Sequence, residues 1–400
     1  MELTRVIHPV GQGGFYTETL KNNNGDEFNV VYDCGGNGQK FMNDYLDSCF
    51  SMRQTIDMVF ISHFHDDHIN GLLHLLKYNK VKYLIIPQLT PDLMLEALFY
   101  NYQSTKSFNN RVNQFLFSIY GQEFYGDSET QIIQILPNID DNNDGVIVEE
   151  FPIDDHLKYP FVISHNGRKV LAEKEMRSGT VFSVGKWLYI PFNPPVPKKK
   201  TREGSFYDYF KEKVNEGKDF EFTELHDIVK RKLEDCVTVY KDYFKSGDNH
   251  NAYSMALFSG MRKPHGQLIM SNTCCNQFHC DCNCNYNPIH YHYRNPNFLY
   301  TGDFEPDNKY GDNIQLMRRF YGALWNTFDV LQVPHHGSRN NFSKDLYSGK
   351  CVGYISAGEK NRFNHPNKDT LLNIMDCGCI PQIVSDDVST IVINRYEVAI

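Results

Sequence analysis

The sequence predicts a fold that mixes α-helices and β-strands, and three neighbouring segments carry this prediction. The apolar run DMVFI at 57–61 and the run VKYLIIP at 81–87 are typical of buried strands. Between them, INGLLHLLKYNK carries Ile69, Leu72 and Leu76 at helical spacing. A strand, a polar loop, a helix and a second strand, in this order, indicate an α/β arrangement.

The rest of the chain divides into outer regions with regular strand patterns and a less regular middle. Strands are predicted at 4–10, 27–33, 252–260, 267–271, 298–303, 328–334, 352–356 and 389–396, with a late helix at 367–378. The middle mixes predicted helices at 91–103, 206–217 and 222–244 with strands near 130–137, 169–175 and 179–192. We therefore expect a core domain at 1–90 and 245–400, with an insertion or cap at 91–244. A Cys/His-rich insertion at 273–294 lies within that core domain.

The composition favours a soluble protein without a generally basic surface. The 400 residues include 41% hydrophobic residues and carry a net charge of −9. This charge argues against a protein that coats nucleic acid electrostatically, but it is compatible with a local basic groove. No apolar run approaches the roughly 18 residues of a membrane span, and the start, MELTRVIHPVGQGG, lacks the pattern of a signal peptide. A cytoplasmic location is expected.

The stretch FISHFHDDH at 60–68 predicts a metal site. His63 and His65 are two apart beyond a predicted strand, so their side chains point the same way in an extended segment. A turn into a helix then brings Asp67 and His68 back to the same place. One ligand pair is all imidazole and the other mixes carboxylate with imidazole, and both suit Zn²⁺, with Mn²⁺ as an alternative.

Two metals need further ligands, and later strand ends offer them. Asp303 follows the apolar strand and turn FLYTG and supplies a bridging carboxylate, while His335 and His336 follow the strand VLQVP. For a third histidine at the first metal, His250 precedes a predicted strand and is preferred. Its competitors, which the sequence leaves open, are His156, His165, His226 and His265.

These motifs resemble those of the metallo-β-lactamase superfamily, whose HxHxDH signature matches residues 63–68. More of the chain is similar to one branch, the soluble hydrolase domain of ComEC-type DNA-uptake proteins and their free-standing relatives. The matching motifs, in order, are VGQG at 10–13, VYDCGG at 31–36, LYTGD at 299–303, VPHHGS at 333–338 and ISAGEKNRFNHP at 355–366. The resemblance covers roughly 4–90 and 245–398.

The resemblance implies a four-layer αββα sandwich with a large mixed α/β insertion and metals at the strand ends. It implies that the first metal is held by His63, His65 and His250, and the second by Asp67, His68 and His335, with Asp303 bridging. His335 is favoured over His336 because related proteins have a ligand histidine followed by any residue and then a small one. His336 and Ser338 would then support the site or face the substrate, and Asp33 would support the metal loop by hydrogen bonding.

The expected chemistry is hydrolysis by a hydroxide that two zinc ions share. Asp67 and Asp303 would orient it and accept its proton, and His365 would donate a proton to the leaving group or contact a phosphate. Arg339 is a further candidate for phosphate contact. Flavodiiron-type relatives have a carboxylate where this chain has His65, so the imidazole favours zinc hydrolysis over iron redox chemistry.

The favoured function is a zinc phosphodiesterase or nuclease that acts on nucleic acid or a nucleotide. The alternatives are a hydrolase of an ester, thioester, lactone or amide, or a subunit of a multi-protein system that binds a protein partner through 91–244.

The Cys/His-rich insertion indicates either a structural zinc, a reduced exposed loop or thiols with a redox role. Its spacing C-x-C-x-C is tighter than that of a zinc-finger knuckle, and a structural zinc would take four side chains and leave no open position. The candidates are Cys274, Cys275, His279, Cys280, Cys282, Cys284, His290 and His292.

Overall fold

A computed structural model of the chain describes residues 1–120, 129–138, 146–148, 161–166, 168–195, 205–220, 222–244, 254–263, 266–272, 295–308, 311–350 and 352–398. The first third of the chain combines strands with helices, and it includes a strand at 15–21 and helices at 39–49 and 111–120 that the sequence patterns do not predict. Its strands are β1 (Glu2–Ile7), β2 (Phe15–Lys21), β3 (Glu27–Cys34), β4 (Thr55–Phe60), β5 (Lys80–Pro87) and β6 (Gln131–Leu136). Its helices are α1 (Gln39–Cys49), α2 (Asp66–Ile69), α3 (Leu72–Tyr78), α4 (Pro91–Thr105) and α5 (Arg111–Tyr120).

The middle third contributes seven described strands and two described helices. The strands are β7 (Phe161–His165), β8 (Arg168–Lys169), β9 (Glu175–Arg177), β10 (Val181–Val184), β11 (Trp187–Phe192), β12 (Ala256–Gly260) and β13 (Gly266–Asn272). The helices are α6 (Phe206–Val214) and α7 (Phe222–Tyr243). The continuous strand expected around 169–175 is therefore two short strands, β8 and β9, with a connection between them.

The last third returns to alternating strands and helices. The strands are β14 (Phe298–Tyr300), β15 (Asp307–Asn308), β16 (Gly311–Asp312), β17 (Val330–Gln332), β18 (Val352–Ser356), β19 (Ile380–Val384) and β20 (Val392–Val398). The helices are α8 (Asn313–Tyr321), α9 (Lys344–Tyr347) and α10 (Lys368–Asp376). Short 3₁₀ turns lie at Gly322–Thr327, Pro334–Gly337, Arg339–Asn341 and Val388–Thr390.

The described strands form two large sheets. The first has the order β13-β20-β1-β2-β3-β4-β5-β6-β9, and the second has the order β19-β18-β17-β14-β12-β11-β10-β7-β8. Strands β3, β4, β5 and β6 are parallel, and so are β14, β17, β18 and β19. Because carboxyl ends of parallel strands meet at one edge, both sheets can present loops to a shared site.

Three hydrophobic clusters hold four layers together, and the alternation of side chains along a strand explains why. In β4, Met58 and Phe60 pack between the two sheets, while Val59 points to the helices on the outer face of the first sheet. In β14, Leu299 likewise points outward, toward helices α8 and α10. The predicted αββα sandwich is thereby confirmed.

The segment 91–244 takes part in both sheets as well as in the outer helical layer. Strands β6 and β9 extend the first sheet, and β7, β8, β10 and β11 extend the second. Helices α4, α5, α6 and α7 pack together over the first sheet through Phe99, Leu116, Phe210 and Tyr240. The proposed division at residues 90 and 245 stays a prediction. Within the described residues, no helix combines the length and apolar character needed to cross a membrane.

Candidate metal centre

The ends of three strands bring the predicted ligands together between the two sheets. β4 runs into the loop that carries His63 and His65, and α2 then begins at Asp66. β14 is followed by Gly302, whose φ of 53° turns the chain so that Asp303 faces the same loop. β17 is followed by the turn at Pro334–Gly337, which carries His335 and His336.

The side chains form two groups of ligand atoms. One consists of His63, His65 and Asp303, the other of Asp67, His68 and His336, and within each group all ligand atoms lie within 4.8 Å of one another. Asp303 lies between the groups. Its Oδ2 is 3.6 Å from Nε2 of His63, and its Oδ1 is 3.1 Å from Nε2 of His68. This is the position of a bridging carboxylate.

Polar contacts to the Nδ1 atoms orient the imidazole rings of His63, His68 and His336. Nδ1 of His63 is 2.9 Å from Oγ of Ser62, and Nδ1 of His68 is 2.9 Å from Oδ2 of Asp33. Nδ1 of His336 is 2.8 Å from the carbonyl oxygen of Ser356. These contacts leave Nε2 of each ring aimed at the other ligands, as in a metal site whose histidines are held by hydrogen bonds.

Asp33 organises the loop behind the site. Its Oδ1 accepts from the backbone N–H of Ser62 at 2.7 Å, and its Oδ2 accepts from the Ser62 hydroxyl at 2.8 Å. Burial raises the pKa of this carboxyl, and the neighbouring His68 opposes the increase. The geometry matches the supporting role expected for Asp33.

The motifs GQGG and CGG need glycine because the metal loop packs directly against their backbone. A side chain at Gly14 would come within 2.8 Å of Nδ1 of His68, and one at Gly35 would come within 2.4 Å of the carbonyl oxygen of Asp67. Real Cβ atoms do not approach other atoms this closely, so both positions need glycine. The motifs GQGG and CGG therefore serve the placement of Asp67 and His68.

The turn after β17 places His336 in the second ligand group, whereas the sequence analysis favours His335 as the ligand. Both residues have positive φ, 47° for His335 and 54° for His336, so the side chains leave the backbone in directions that strand alternation does not anticipate. Nε2 of His336 lies 3.3 Å from Oδ2 of Asp67, and the residue is buried. His335 has a side chain 27% exposed and lies 3.7 Å from Oδ2 of Asp303.

Electrostatics keep the carboxylates ionised. Burial alone would raise the pKa of Asp303, but His335, His68, His336 and His63 together hold it well below its usual value. Burial would also raise the pKa of Asp67, but His336 and His68 together lower it. Burial lowers the pKa of His63 well below its usual value, and the neighbouring imidazoles lower it further.

The residues fit two divalent cations, and one observation of the structure supports this. Nε2 atoms of His63, His68 and His336 are buried, and none forms a well-aligned hydrogen bond with the described residues, although two of them lie 3.1 Å and 3.3 Å from the carboxylates of Asp303 and Asp67. A buried polar atom without a partner costs free energy, and three that converge on two carboxylates indicate a cation site. Imidazole with carboxylate is a donor set that suits zinc.

Other predicted residues lie around this centre or outside the described residues. His250, Cys274, Cys275, His279, Cys280, Cys282, Cys284, His290 and His292 are outside the described residues, as are His156 and His265. His165 and His226 are described, and neither belongs to a ligand group. Ser338 is buried and donates its backbone N–H to the His335 carbonyl at 2.8 Å. The exposed Arg339 lies 3.5 Å from Asp369.

His365 lies beside the centre. Its ring centroid is 5.5 Å from that of His335. Burial, followed by His335 and His336, lowers its pKa to about 4. The imidazole is therefore neutral at neutral pH, which suits a substrate contact better than a proton donor.

Sequence reasoning missed two residues of α4 that hold the metal loop. Tyr100 stacks on His65 with 4.0 Å between ring centroids and 16° between planes. Nδ2 of the buried Asn101 donates to the carbonyl oxygen of Phe64 at 2.8 Å. The signal in the sequence is only a polar Asn within an apolar helical run, which does not reveal its partner.

Comparison with known proteins points to one superfamily. Residues 23–171 match the family model described as Metallo-beta-lactamase superfamily. This stretch includes Asp33 and the whole of FISHFHDDH. No curated protein matches the chain.

Several solved structures share a distant likeness over most of the chain. The metallo-beta-lactamase fold protein YhfI from Bacillus subtilis is 9% identical, covers 98% of both chains and has a TM-score of 0.33. Zn²⁺-bound PqqB from Methylobacterium extorquens is 8% identical, with coverage of 95% of this chain and 97% of that chain and a TM-score of 0.37. For a long form RNase Z from yeast the identity is 10%, the coverage 98% of this chain and 41% of that chain, and the TM-score 0.32. At these values the likenesses say nothing of metal or substrate.

Proposed function

We propose that the chain is a hydrolase of the metallo-β-lactamase superfamily, and more narrowly a two-zinc phosphodiesterase that acts on nucleic acid or a nucleotide. The observation that carries the proposal is the placement of Asp303 between two sets of imidazoles, 3.6 Å from His63 and 3.1 Å from His68. A carboxylate that two ligand groups share is suited to two cations held close together.

The proposed ligands are those that the geometry groups. His63, His65 and Asp303 would hold one zinc, and Asp67, His68 and His336 the other, with His250 still proposed as a further ligand of the first. His336 replaces His335 in this assignment. When bound, the two metals would lower the pKa of a water molecule and neutralise negative charge that develops on the substrate.

The chain's own residues would position the reactants. Asp67 has a side chain 33% exposed, so its carboxylate reaches the open side of the centre and can orient a water molecule there. Asp303 is buried, and its backbone is held in place because its N–H donates to Oγ of Ser254 at 2.9 Å. His335 and His365 line the opposite side and are available for contact with the substrate.

A phosphodiester is favoured over an acyl substrate by the sequence motifs and by the cations near the centre. The motifs VGQG, LYTGD, VPHHGS and NRFNHP resemble those of ComEC-type hydrolase domains. Arg362 is exposed three residues before His365. A cation near His365 complements the charge of a phosphate.

The proposal is tested by hydrolysis of bis-p-nitrophenyl phosphate against p-nitrophenyl acetate, with and without a chelator, on protein of measured metal content. We expect diesterase activity that a chelator abolishes and zinc restores. His63→Ala combined with Asp303→Ala should lose it. Retained diesterase activity in that double variant would overturn the proposed centre.

An acyl substrate is the second candidate, because a largely apolar cavity adjoins the first ligand group. Besides His63 and His65, it is lined by the apolar or aromatic Phe64, Pro87, Leu93, Ala97 and Tyr100 and by the polar Gln88, Glu96 and Asn193. Such a cavity would accept an apolar acyl chain. Hydrolysis of p-nitrophenyl acetate that exceeds diester hydrolysis, and that falls with Leu93→Asp, would favour this candidate.

A further inference from the structure

An exposed aromatic residue stands at the rim of the metal centre, in the loop 358–366 that follows β18. Phe363 is 53% exposed, whereas most phenylalanines among the described residues belong to the hydrophobic clusters. Leaving so much of an apolar ring in water has no benefit for folding. The ring is therefore a candidate for contact with a ligand.

Hydrogen bonds fix the backbone of the loop that carries this ring. Nδ2 of Asn361 donates to the carbonyl oxygen of Gly358 at 2.7 Å and also to that of His365, and Oδ1 of Asn361 accepts from the His365 N–H at 2.8 Å. The backbone N–H of Glu359 donates to Oδ1 of Asp386 at 2.8 Å, which fixes the other side of the loop. A preorganised loop binds a ligand without first losing conformational entropy.

A continuous row of rings connects Phe363 to the metal ligands. The Phe363 ring is nearly parallel to that of His365, with 5.9 Å between centroids and 17° between planes. His365 is followed by His335, whose Nε2 is 3.7 Å from Oδ2 of Asp303. A base that stacks on Phe363 would therefore lie on the same side of the centre as His335 and His365, and its strand could continue to a phosphate at the centre.

The charge beside the ring is positive. The guanidinium of Arg362 lies 4.8 Å from the centroid of the Phe363 ring, and among the described residues Arg362 forms no salt bridge. Arg339, the neighbouring cation, lies 3.5 Å from Asp369. Arg362 is exposed, so its charge is available to a ligand that contacts the Phe363 ring.

We infer that Phe363 and Arg362 form a subsite that stacks a nucleobase and contacts its phosphate, next to the scissile phosphodiester. This inference rests on the proposed function and makes it narrower: the substrate is single-stranded nucleic acid, or a nucleotide with an unpaired base. A base in a duplex is already stacked on its neighbours and would first have to leave them. The net charge of −9 agrees with a short contact and not with an extended basic groove.

Stacking is measured directly with Phe363→Trp. The protein's two tryptophans, Trp187 and Trp325, are buried, so the new indole is the exposed reporter. In the presence of a chelator, a single-stranded oligothymidylate should quench its fluorescence in a saturable way, and a blunt duplex should not at the same concentration. The matched control is Leu372→Trp, because Leu372 is 50% exposed on α10, away from the loop.

Hydrolysis gives the second measurement, with p-nitrophenyl thymidine 5′-phosphate as the substrate. Phe363→Ala should reduce its kcat/KM by about 5- to 100-fold, the range expected when one base loses an aromatic stacking partner. Phe363→Trp should retain activity. Arg362→Gln should weaken binding of the oligothymidylate and make its salt dependence less steep by about one ion.

The outcomes separate this inference from the proposed function. If wild type hydrolyses bis-p-nitrophenyl phosphate but Phe363→Ala leaves the thymidine ester unaffected, or Phe363→Trp is not quenched, the subsite is refuted and the phosphodiesterase stands. If wild type hydrolyses neither diester, the proposed function fails. Equal quenching by the duplex and the single strand would refute the preference for unpaired bases.

Discussion

Two carboxylates are buried between the same two sheets, and their surroundings differ in one respect. Glu18 accepts from Nε of Arg5 and the hydroxyl of Tyr300 at Oε1, both at 2.7 Å. Its Oε2 accepts from the hydroxyls of Tyr189 at 2.9 Å and Ser259 at 2.7 Å. Asp303 instead faces imidazoles, and in three of the surrounding rings Nε2 forms no well-aligned hydrogen bond with the described residues.

This difference distinguishes a buried charge that stabilises the fold from a buried charge that belongs to a ligand-binding site. Around Glu18, the charge is balanced by Arg5, which also donates from Nη1 to the Pro296 carbonyl and lies over the Phe298 ring at 4.7 Å. Only Nη2 of Arg5 lacks a partner among the described residues. Around Asp303 the partners are imidazoles, which balance the carboxylates only when they are protonated, and cations at the proposed centre would take the place of those protons.

The largest expected effect comes from removing the charge of Glu18. Glu18→Gln leaves the Arg5 guanidinium buried without a counter-charge, and breaking a buried pair in this way costs about 3–5 kcal/mol of unfolding free energy. Urea denaturation measures it. The control is Glu27→Gln, because the Glu27 side chain is 47% exposed and its pair with Lys21 is worth about 0–1 kcal/mol. A loss no larger than that of the control would contradict the structural role of Glu18.

The second effect concerns stabilisation by metal. Zinc at about 100 times its Kd should raise the unfolding free energy of the wild type by about 2.7 kcal/mol, since it binds the folded state. Asp303→Asn should lose this increase, because the shared ligand is gone. Glu18→Gln should keep it, although its baseline is lower. An Asp303→Asn protein that zinc stabilises as much as the wild type would show that Asp303 is not a ligand.

A smaller effect is expected at the carboxylate that orients His68. Asp33→Asn should weaken zinc binding about 10- to 100-fold, as usual when a partner of a ligand histidine is changed. Competition with a chromophoric chelator measures it. Asp57→Asn is the matched control, since Asp57 is also buried but binds the Asn29 N–H and Lys82. Equal affinity of both variants would argue against orientation by Asp33.

The smallest effect is expected at the ring behind His65. Tyr100→Leu removes the stacking partner of the imidazole and should weaken zinc binding about 2- to 10-fold, the range for an aromatic pair. Tyr100→Phe keeps the ring and should bind zinc as the wild type does. The same chelator competition resolves both. A Phe variant as weak as the Leu variant would shift the effect from the ring to the hydroxyl.

The sequence predicts the layers of this fold well, because alternation and helical spacing are local patterns. The segment DMVFI ends one residue beyond β4, and the helical run after it contains α3. What the patterns do not reveal is which distant strands pair. The strands of 130–137 and 179–192 look like parts of a cap, yet they hydrogen-bond to β5 and β12 in the main sheets.

The centre is predictable where its ligands are close in sequence and less so elsewhere. His63, His65, Asp67 and His68 follow from one short motif, and Asp303 from a strand end. The choice between His335 and His336 depends on two left-handed backbone angles that the letters HHG do not reveal. The burial of Glu18 cannot be predicted from the sequence for another reason. In FYTETLK it has the pattern of an exposed strand residue, and only the second sheet buries it.

The contacts of α4 have a mechanical consequence. Asn101 attaches this helix to the carbonyl of Phe64, and Tyr100 covers the imidazole of His65. The outer helical layer and the first metal's loop are therefore one mechanical unit, and a displacement of α4 displaces a ligand. At the proposed centre, a shift of the helix would therefore change zinc affinity, and zinc binding would in turn restrain the helix, because coupling between two sites is reciprocal.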